Sequence, residues 1–338
     1  MNLLKKFLKQ TVTFLAIGLL CVSCSHIPTL AVNPWETLKL PTEANLQDLA
    51  FTSDPQHGWV VGSEATILET NDGGKTWENR KLELDSDKYR FTSISFKGDE
   101  GWMVGEPAIL LHTNDAGKSW DRIALSSKLP GIPSTILAQG NNAAEMTTNI
   151  GAIYQTQDLG KNWKSLVTNA VGVFRTISRS TEGKYVAVSA KGNFYSTWAP
   201  GQETWEPHNR NSSRRVSSMG FTIDGRLWML ARGGQLQFSN AEKADLWEDE
   251  VFPGQKTNLG LLDLAYRTPG EIWASGGSGG LLVSTDNGKT WLKDEAVEEV
   301  PSNLYKILFF TPERGFIVGQ RGILLKYQGD VPVKTASI

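Results

Sequence analysis

Few residues in this sequence have the type and spacing that covalent chemistry needs. Gly276-Gly277-Ser278-Gly279-Gly280 matches the string of a nucleophile elbow. That device requires a strand-to-helix turn and a histidine base within reach. Here the flanking pattern places the glycines in a tight turn between two strands. The histidines, His26, His57, His112 and His208, are scattered without ligand spacing, so neither a metal centre nor a cofactor is expected. Asp48 and Asp263 can be paired on paper, but two-carboxylate mechanisms demand a short fixed separation and these two lie far apart in the chain. No catalytic residue is assigned.

Arginine is where the sequence departs from a plain scaffold. Between positions 170 and 235 lie Arg175, Arg179, Arg210, Arg214, Arg215, Arg226 and Arg232, seven of the 13 arginines. Glu182, Glu203, Glu206 and Asp224 oppose them, and Lys184 and Lys191 add to them. Guanidinium forks suit bidentate capture of carboxylates or phosphates and are enriched at protein interfaces. The plainer alternative is a solvated, locally paired surface.

The elements that position these residues come from an internal repeat. Trp35, Trp77, Trp120, Trp163, Trp205, Trp247 and Trp291 follow one another at intervals of 42, 43, 43, 42, 42 and 44 residues. Before each of the last six runs the same order: an apolar strand, a turn, a short strand such as Gly58–Gly62, a tight turn, a third strand such as Thr66–Glu69, a glycine-rich turn and the Trp. Four short strands in a period of about 40–45 residues specify propeller blades. No window shows helical periodicity. The seventh repeat supplies strands near 304–310, 315–319 and 322–327 and then lacks its Trp, while the strand at 35–40 has no blade before it. A seven-bladed, all-β propeller closed by its N-terminal strand is predicted, and such closure removes two sheet edges.

The turn before each Trp is an Asp box. Thr70-Asn71-Asp72-Gly73-Gly74-Lys75-Thr76-Trp77 recurs as 113–120, 156–163 and 284–291. Asp72, Asp115, Asp158 and Asp286 are expected to accept backbone N–H groups within their own turns, a conformational task rather than a catalytic one or the binding of calcium. In blades four and five the box has decayed, with Trp198 and Asn240 at its first position. A common polar position in the inner strands (Asp48, Ser93, Thr135, Thr176, Ser218, Asp263 and Lys306) is expected to line the central channel. In this frame Arg210, Arg214 and Arg215 lie on the connection between blades four and five, and Arg232 lies in a turn opening on the same face. Arg175 begins an inner strand that reaches that face. Arg179 and Arg226 sit nearer the opposite turns.

Composition fits an exported, folded chain. The 338 residues are 40% hydrophobic and 21% charged, with a net charge of −2, which excludes disordered and fibrous classes. Lys5, Lys6 and Lys9 precede an apolar stretch from Thr11 to Val22, too short to span a bilayer. Cys21-Val22-Ser23-Cys24 resembles a lipoprotein cleavage box, with Cys21 where Leu is usual and Cys24 as the lipidated residue. Ordinary cleavage after Ala31 is the alternative. Removal of 1–23 leaves 31 basic against 36 acidic residues, so nucleic acid is not an expected partner. It also leaves one Cys and no disulfide. The expected layout is a signal segment at 1–23, a tether at 24–34, the propeller at 35–330 and a tail at 331–338.

The lipoprotein signal, the seven Trp-punctuated blades, the N-terminal closure and the Arg-rich middle blades resemble together the photosystem II assembly and stability factor family of cyanobacteria, which has a chloroplast homologue. The blade repeat Gly62-Ser63-Glu64-Ala65-Thr66-Ile67-Leu68-Glu69-Thr70-Asn71-Asp72-Gly73-Gly74-Lys75-Thr76-Trp77 suits that family. The resemblance implies a non-catalytic helper, lipid-anchored on the lumenal side of the thylakoid membrane. It would bind newly made precursor D1 and early reaction-centre complexes during assembly and repair. It also implies an arginine patch on one propeller face, assigned first to Arg175, Arg214, Arg215 and Arg232, then to Arg179 and Arg210. Two rivals remain. One is an Asp-box glycosidase, which would need a Tyr, a Glu and three Arg at the channel mouth and an Arg-Ile-Pro motif that this sequence lacks. The other is a generic envelope interaction propeller.

Overall fold

The second strand of most repeats carries a continuous apolar run, as Trp59-Val60-Val61 and Trp102-Met103-Val104 show, and such a run must be covered on both faces. In the computed structural model that cover is the neighbouring repeat on each side. The structure describes residues 27–329 apart from 211, 242–245, 255–259, 295–296 and 298–299. Cys21, Cys24, the signal segment and the C-terminal tail lie outside the described residues.

Seven small antiparallel sheets make up the described chain, and no helix occurs in it. Blade one consists of Leu46–Phe51, Gly58–Gly62, Ile67–Thr70 and Glu78–Asn79, in that order from inside to outside. Blades two (Arg90–Lys97, Glu100–Glu106, Ile109–Thr113, Asp121–Arg122), three (Pro133–Gly140, Ala143–Thr148, Ile153–Thr156, Lys164–Ser165) and four (Phe174–Arg179, Tyr185–Ser189, Phe194–Trp198, Glu206–Asn209) repeat that order. Blade five (Val216–Phe221, Leu227–Ala231, Gln235–Phe238) has three strands, and isolated bridges at Trp247 and Val251 hold its outer segment. Blade six is Leu261–Thr268, Glu271–Gly276, Leu281–Ser284 and Leu292–Lys293. Blade seven joins Leu304–Thr311, Arg314–Gly319 and Leu324–Tyr327 to the N-terminal strand Trp35–Leu38, with Trp35 opposite Tyr327 and Leu38 opposite Leu324. The predicted closure is therefore present. Part of the predicted tether also has a place: Leu30 N donates to Lys293 O and Lys293 N to Pro28 O, so Pro28–Leu30 lies along the outer edge of blade six.

The core is divided into seven apolar wedges, each between adjacent blades. In a typical wedge Trp102 and Val104 of blade two meet Ile136, Ala144 and Met146 of blade three. A second-strand ring usually packs edge-on against the outer Trp of the next blade. Trp59–Trp120 lie 6.2 Å apart at 89°, Trp102–Trp163 6.4 Å apart at 78°, and Phe316–Trp77 6.5 Å apart at 88°. Trp59 and Trp102 are fully buried, and truncating either to Ala would cost about 3–5 kcal/mol.

The polar column at the axis does more than line the channel. In all seven blades a β-bulge immediately precedes it: the register shifts at Leu46/Asp48, Phe91/Ser93, Pro133/Thr135, Phe174/Thr176, Val216/Ser218, Leu261/Asp263 and Leu304/Lys306. In three blades the side chain after the bulge reaches the main chain of the following blade. Asp48 Oδ2 accepts from Ile94 N (3.1 Å), Ser93 Oγ from Ile136 N (3.3 Å) and Asp263 Oδ2 from Ile307 N (2.8 Å). Asp48, Ser93 and Ser218 are buried. The expected channel lining holds for Asp48, Ser93, Thr135 and Lys306, which border the axial cavity, and Asp48, Ser93 and Asp263 also staple blade to blade. Asp48 also takes Lys306 Nζ at 2.6 Å, across the seam where the ring closes.

Candidate functional site

In an antiparallel blade, the turn between second and third strands opens on the same face as the connection to the next blade. We call this the upper face. The Asp boxes, between third and outer strands, open on the lower face.

Local sequence places one group of arginines on the upper face. Arg175 is the extra residue of the blade-four bulge, between paired Phe174 and Thr176, and a bulge re-aims its side chain out of the sheet. It is exposed, and its Nη2 donates to Ala190 O at 3.2 Å. Arg232 occupies the second-to-third turn of blade five, and its N–H donates to Arg215 O. Both Arg215 and Arg232 are exposed, and neither guanidinium has an acceptor among the described residues. Main-chain bonds tie these positions into a row. Ala190 N donates to Val173 O, Val216 N to Gly192 O and Arg232 N to Arg215 O. Gly192 permits this approach: its φ is +66°, and a Cβ there would lie 2.3 Å from Val216 O. Lys191 sits in the same turn, exposed. The sequence counted it in the basic sector but not among the binding residues. The signal was available, since its turn in blade four matches that of Arg232 in blade five.

Arg214 and Arg210 support this row. Arg214 is half-buried over the Phe252 ring (5.0 Å), with Glu250 at 3.8 Å. Arg210 Nη1 donates to Arg214 O at 2.7 Å, fixing the connection, and burial lowers its pKa. Arg210 thus shapes the loop more than it offers a free fork.

The lower-face arginines are closed. Arg179 Nε donates to Glu145 Oε1 at 2.6 Å and Nη1 to Ser180 O. Arg226 spans Asp224 (2.9 Å) and Glu248 (2.9 Å). The structure does not bring Arg179 to the face of the other candidates.

The four intact Asp boxes turn their carboxylates inward. Asp72 accepts from Lys75 N (2.9 Å), Thr76 N (2.9 Å), Thr76 Oγ1 (2.6 Å) and Thr70 Oγ1 (2.8 Å). Burial alone would raise its pKa, but these donors outweigh it and hold the carboxyl far below the usual range. Asp115 follows the same balance and falls to about 2, with Ser119 as its main donor. Asp158, held chiefly by the Asn162 side chain, is also lowered. In Asp286, donors from Thr290 and Ser284 overcome burial. In the decayed box of blade four, Gln202 Oε1 accepts from Ala199 N (2.8 Å) and Trp198 Nε1 donates to Gln202 O (3.0 Å). No cluster of metal-ligating residues occurs among the described residues. The axial cavity, about 520 Å³, has Arg179 as its one described arginine, where the glycosidase reading required three. Gly276–Gly280 is the predicted turn between strands, with Gly276 N bonded to Gly280 O.

Fold and site together define a seven-bladed Asp-box propeller with one open arginine sector. Known proteins place it further. The family model for photosynthesis system II assembly factor YCF48 matches residues 27–328, and the chain belongs to that family. It is 66% identical over 326 residues to photosystem II assembly lipoprotein Ycf48 of Synechocystis sp., covering 96% of this chain and 95% of that one. It is 56% identical over 310 residues to photosystem II assembly protein Ycf48 of Thermosynechococcus vestitus, covering 92% and 89%. The solved structure described as YCF48 bound to D1 peptide superposes with a TM-score of 0.88 at 56% identity, covering 90% of this chain and all of that one. YCF48 from Cyanidioschyzon merolae superposes with a TM-score of 0.82 at 41% identity, covering 88% and 99%. Virginiamycin B lyase from Staphylococcus aureus, at 14% identity and TM-score 0.67, shares the fold alone.

Proposed function

We propose that this chain is a non-catalytic docking platform for photosystem II assembly and repair. It captures newly made precursor D1, and early reaction-centre complexes that contain it, on the upper face of blades four and five. One observation carries the site: Arg175, Arg215 and Arg232 present exposed guanidiniums on one hydrogen-bonded row, while their counterparts on the lower face are consumed by carboxylates. Forks held open in this way suit acidic segments of a partner. The relative solved with a D1 peptide supports the choice of partner.

The platform works on the lumenal side of the thylakoid membrane. Residues 1–23 direct export, Cys24 carries the lipid, and residues 24–34 lead from the anchor to the ring. The name lipoprotein borne by the Synechocystis relative supports the anchor, and the hydrogen bonds of Pro28 and Leu30 to Lys293 support a tether that meets the ring at the rim of blade six. Confinement to the membrane surface raises the effective concentration of ring and partner. No step requires covalent chemistry.

A pull-down tests this reading. The chain without its first 24 residues is incubated with detergent-solubilised thylakoid complexes, beside an Arg175→Gln/Arg215→Gln/Arg232→Gln variant of matched thermal stability. The expected result is retention of D1-containing complexes by the wild type and a loss of about tenfold or more in the variant. Equal retention by both overturns the site, and retention by neither overturns the function.

A further inference from the structure

The column of aromatic rings in the second strands is interrupted twice. Trp59, Trp102, Trp228, Trp273 and Phe316 fill it in blades one, two, five, six and seven, but blade three has Glu145 and blade four has Val186. A ring in this column can press on the box of the next blade. A Cβ on Gly117 would stand 2.5 Å from Trp59, and one on Gly74 2.6 Å from Phe316. The matching box position in blade four is Gln202, and its side chain fits because Glu145 brings no ring. Between blades three and four, in place of a packed indole, lies a radial groove of about 1060 Å³. Its walls come from the lower-face turns and the outer strand of blade three.

Glu145 lines this groove although it is only 6% exposed. Its Oε1 accepts from both Arg179 Nε and Tyr185 OH, each at 2.6 Å. Its Oε2 has no donor among the described residues. Gln155 is its cross-strand neighbour on the same face. Gln155 Nε2 donates to Gln139 Oε1 at 2.9 Å, which leaves its own Oε1 without a donor. Directly opposite residues in an antiparallel pair have Cβ atoms about 5 Å apart, so the two open acceptors belong to neighbouring residues on one face of the blade-three sheet, both lining the groove. Neither oxygen is sealed away from the groove, so a ligand that brings donors can reach both.

The acceptor pair selects the ligand chemistry. A guanidinium offers a planar fork of donors and no acceptor, which matches two adjacent oxygens better than the point charge of an ammonium. Glu203 adds a carboxylate at the rim, Glu182 another that is shared with Lys184 at 2.7 Å, and the Tyr154 ring stands in the wall. Of the lining cations, Arg179 is already held by Glu145, and Lys164 stands directly opposite Gln155 on the outer strand, one strand further out than Glu145. Beyond the acceptors the groove continues along Leu166, Val167 and Pro200, room for the chain on either side of one residue. We propose that the groove between blades three and four is a second binding site, one that takes an arginine side chain carried by an extended peptide segment. It lies on the face opposite the basic sector and is independent of D1 capture there.

Trp198 supplies a reporter, since its indole N–H bonds to Gln202 O in the groove wall. The 15N-labelled chain without its first 24 residues, which contribute none of the described strands, would be titrated with acetyl-Gly-Arg-Gly-amide and with its lysine and citrulline counterparts. The Trp198 indole resonance is assigned by Trp198→Phe. The arginine peptide should give a saturable shift, the lysine peptide should bind roughly fivefold more weakly, and the citrulline peptide should give none. Glu145→Gln should abolish the shift. Because that change touches a buried network, the exposed rim variant Glu182→Lys/Glu203→Lys serves as a second test and should also abolish it while leaving the melting temperature unchanged. No saturation by the arginine peptide, an equal response to citrulline, or retained binding in the rim variant each overturns the proposal. So does a shift of the same indole with maltose in place of the peptide, which would assign the groove to polyhydroxylated ligands.

Discussion

The two faces of blades four and five put one residue type to opposite uses. On the lower face Arg179 and Arg226 sit beside the turns that join inner and second strands, where acidic residues of the same or the preceding blade lie within reach. On the upper face Arg175, Arg215 and Arg232 stand at a bulge, a connection and a turn whose near neighbours are glycine, serine and other cations. Charge density along the chain is the same in both cases. What differs is the strand end at which each side chain emerges, and with it the choice between a structural tie and an open fork. A sector that looks uniform in sequence is therefore two functional layers, one sealed and one available.

The sharpest way to break this comparison is to exchange the consequences. Arg179→Gln leaves Glu145, 6% exposed, with Tyr185 as its remaining donor. Removing one member of a buried pair costs about 3–5 kcal/mol. Arg179 is itself 26% exposed, so solvent relieves part of this, and about 2–3 kcal/mol is expected in urea unfolding, with retention of D1 complexes unchanged at equal folded fraction. Arg215→Gln and Arg232→Gln should each stay within about 0.5 kcal/mol of wild type while weakening that retention. If Arg179→Gln weakens retention without loss of stability, the division into sealed and open layers fails.

The extent to which this was legible in sequence follows the same line. Repeat spacing, closure by Trp35–Leu38 and the face on which each arginine emerges were all readable, because each follows from strand order, which a period of four strands fixes. Contacts that depend on a neighbouring blade were not. Asp48, Asp263 and Ser93 read as polar positions on the channel, and only the bulge before each one reveals that it reaches the next inner strand. The partnership of Arg179 with Glu145 joins residues 34 apart in different blades, beyond any local pattern. Glu145 itself was visible as the break in a column of rings, once the second strands are aligned. The loss of a Trp from a repeat is a quieter signal than a gain of arginines.

The Asp boxes sharpen the comparison at the lower face. Asp115 engages Ser119 N, Ser119 Oγ and Thr113 Oγ1, whereas the blade-four turn is closed by the neutral amide of Gln202. Asp115→Ala should therefore cost about 1–3 kcal/mol, the penalty for stranding several donors. Ser196, in the strand before the decayed box, makes no side-chain bond, and Ser196→Ala should cost less than about 0.5 kcal/mol. Because folding depresses the Asp115 pKa from 3.8 to about 2, its contribution is present above pH 4 and drains away as pH falls toward 2. Loss of the wild-type advantage over Asp115→Ala in that window, followed by thermal melts, checks the assignment. An advantage constant from pH 6 to 2.5 would contradict it.

At the axis the sign reverses, and the effect is the smallest of the three. Burial pushes the Asp263 carboxyl up to about 6, against the opposing pull of the Ile307 and Leu264 amides and the Lys306 ammonium. A carboxyl whose folded pKa exceeds its unfolded value contributes most below the unfolded pKa, near 4, and loses that contribution as pH rises through about 6. Asp263→Asn keeps an oxygen for Ile307 N and removes the charge. The variant should melt close to wild type at pH 4.5 and about 2–4 °C above it at pH 7.5, equivalent to roughly 1 kcal/mol in a domain of this size. Melts across that range separate two accounts of the carboxyl. If Asp263 serves mainly as a hydrogen-bond staple between blades six and seven, the difference grows with pH as described. If its charge is needed to hold Lys306 at the ring seam beside Asp48, the variant melts below wild type at pH 7.5, and the axial column must then be read as an ion-pair device rather than a staple.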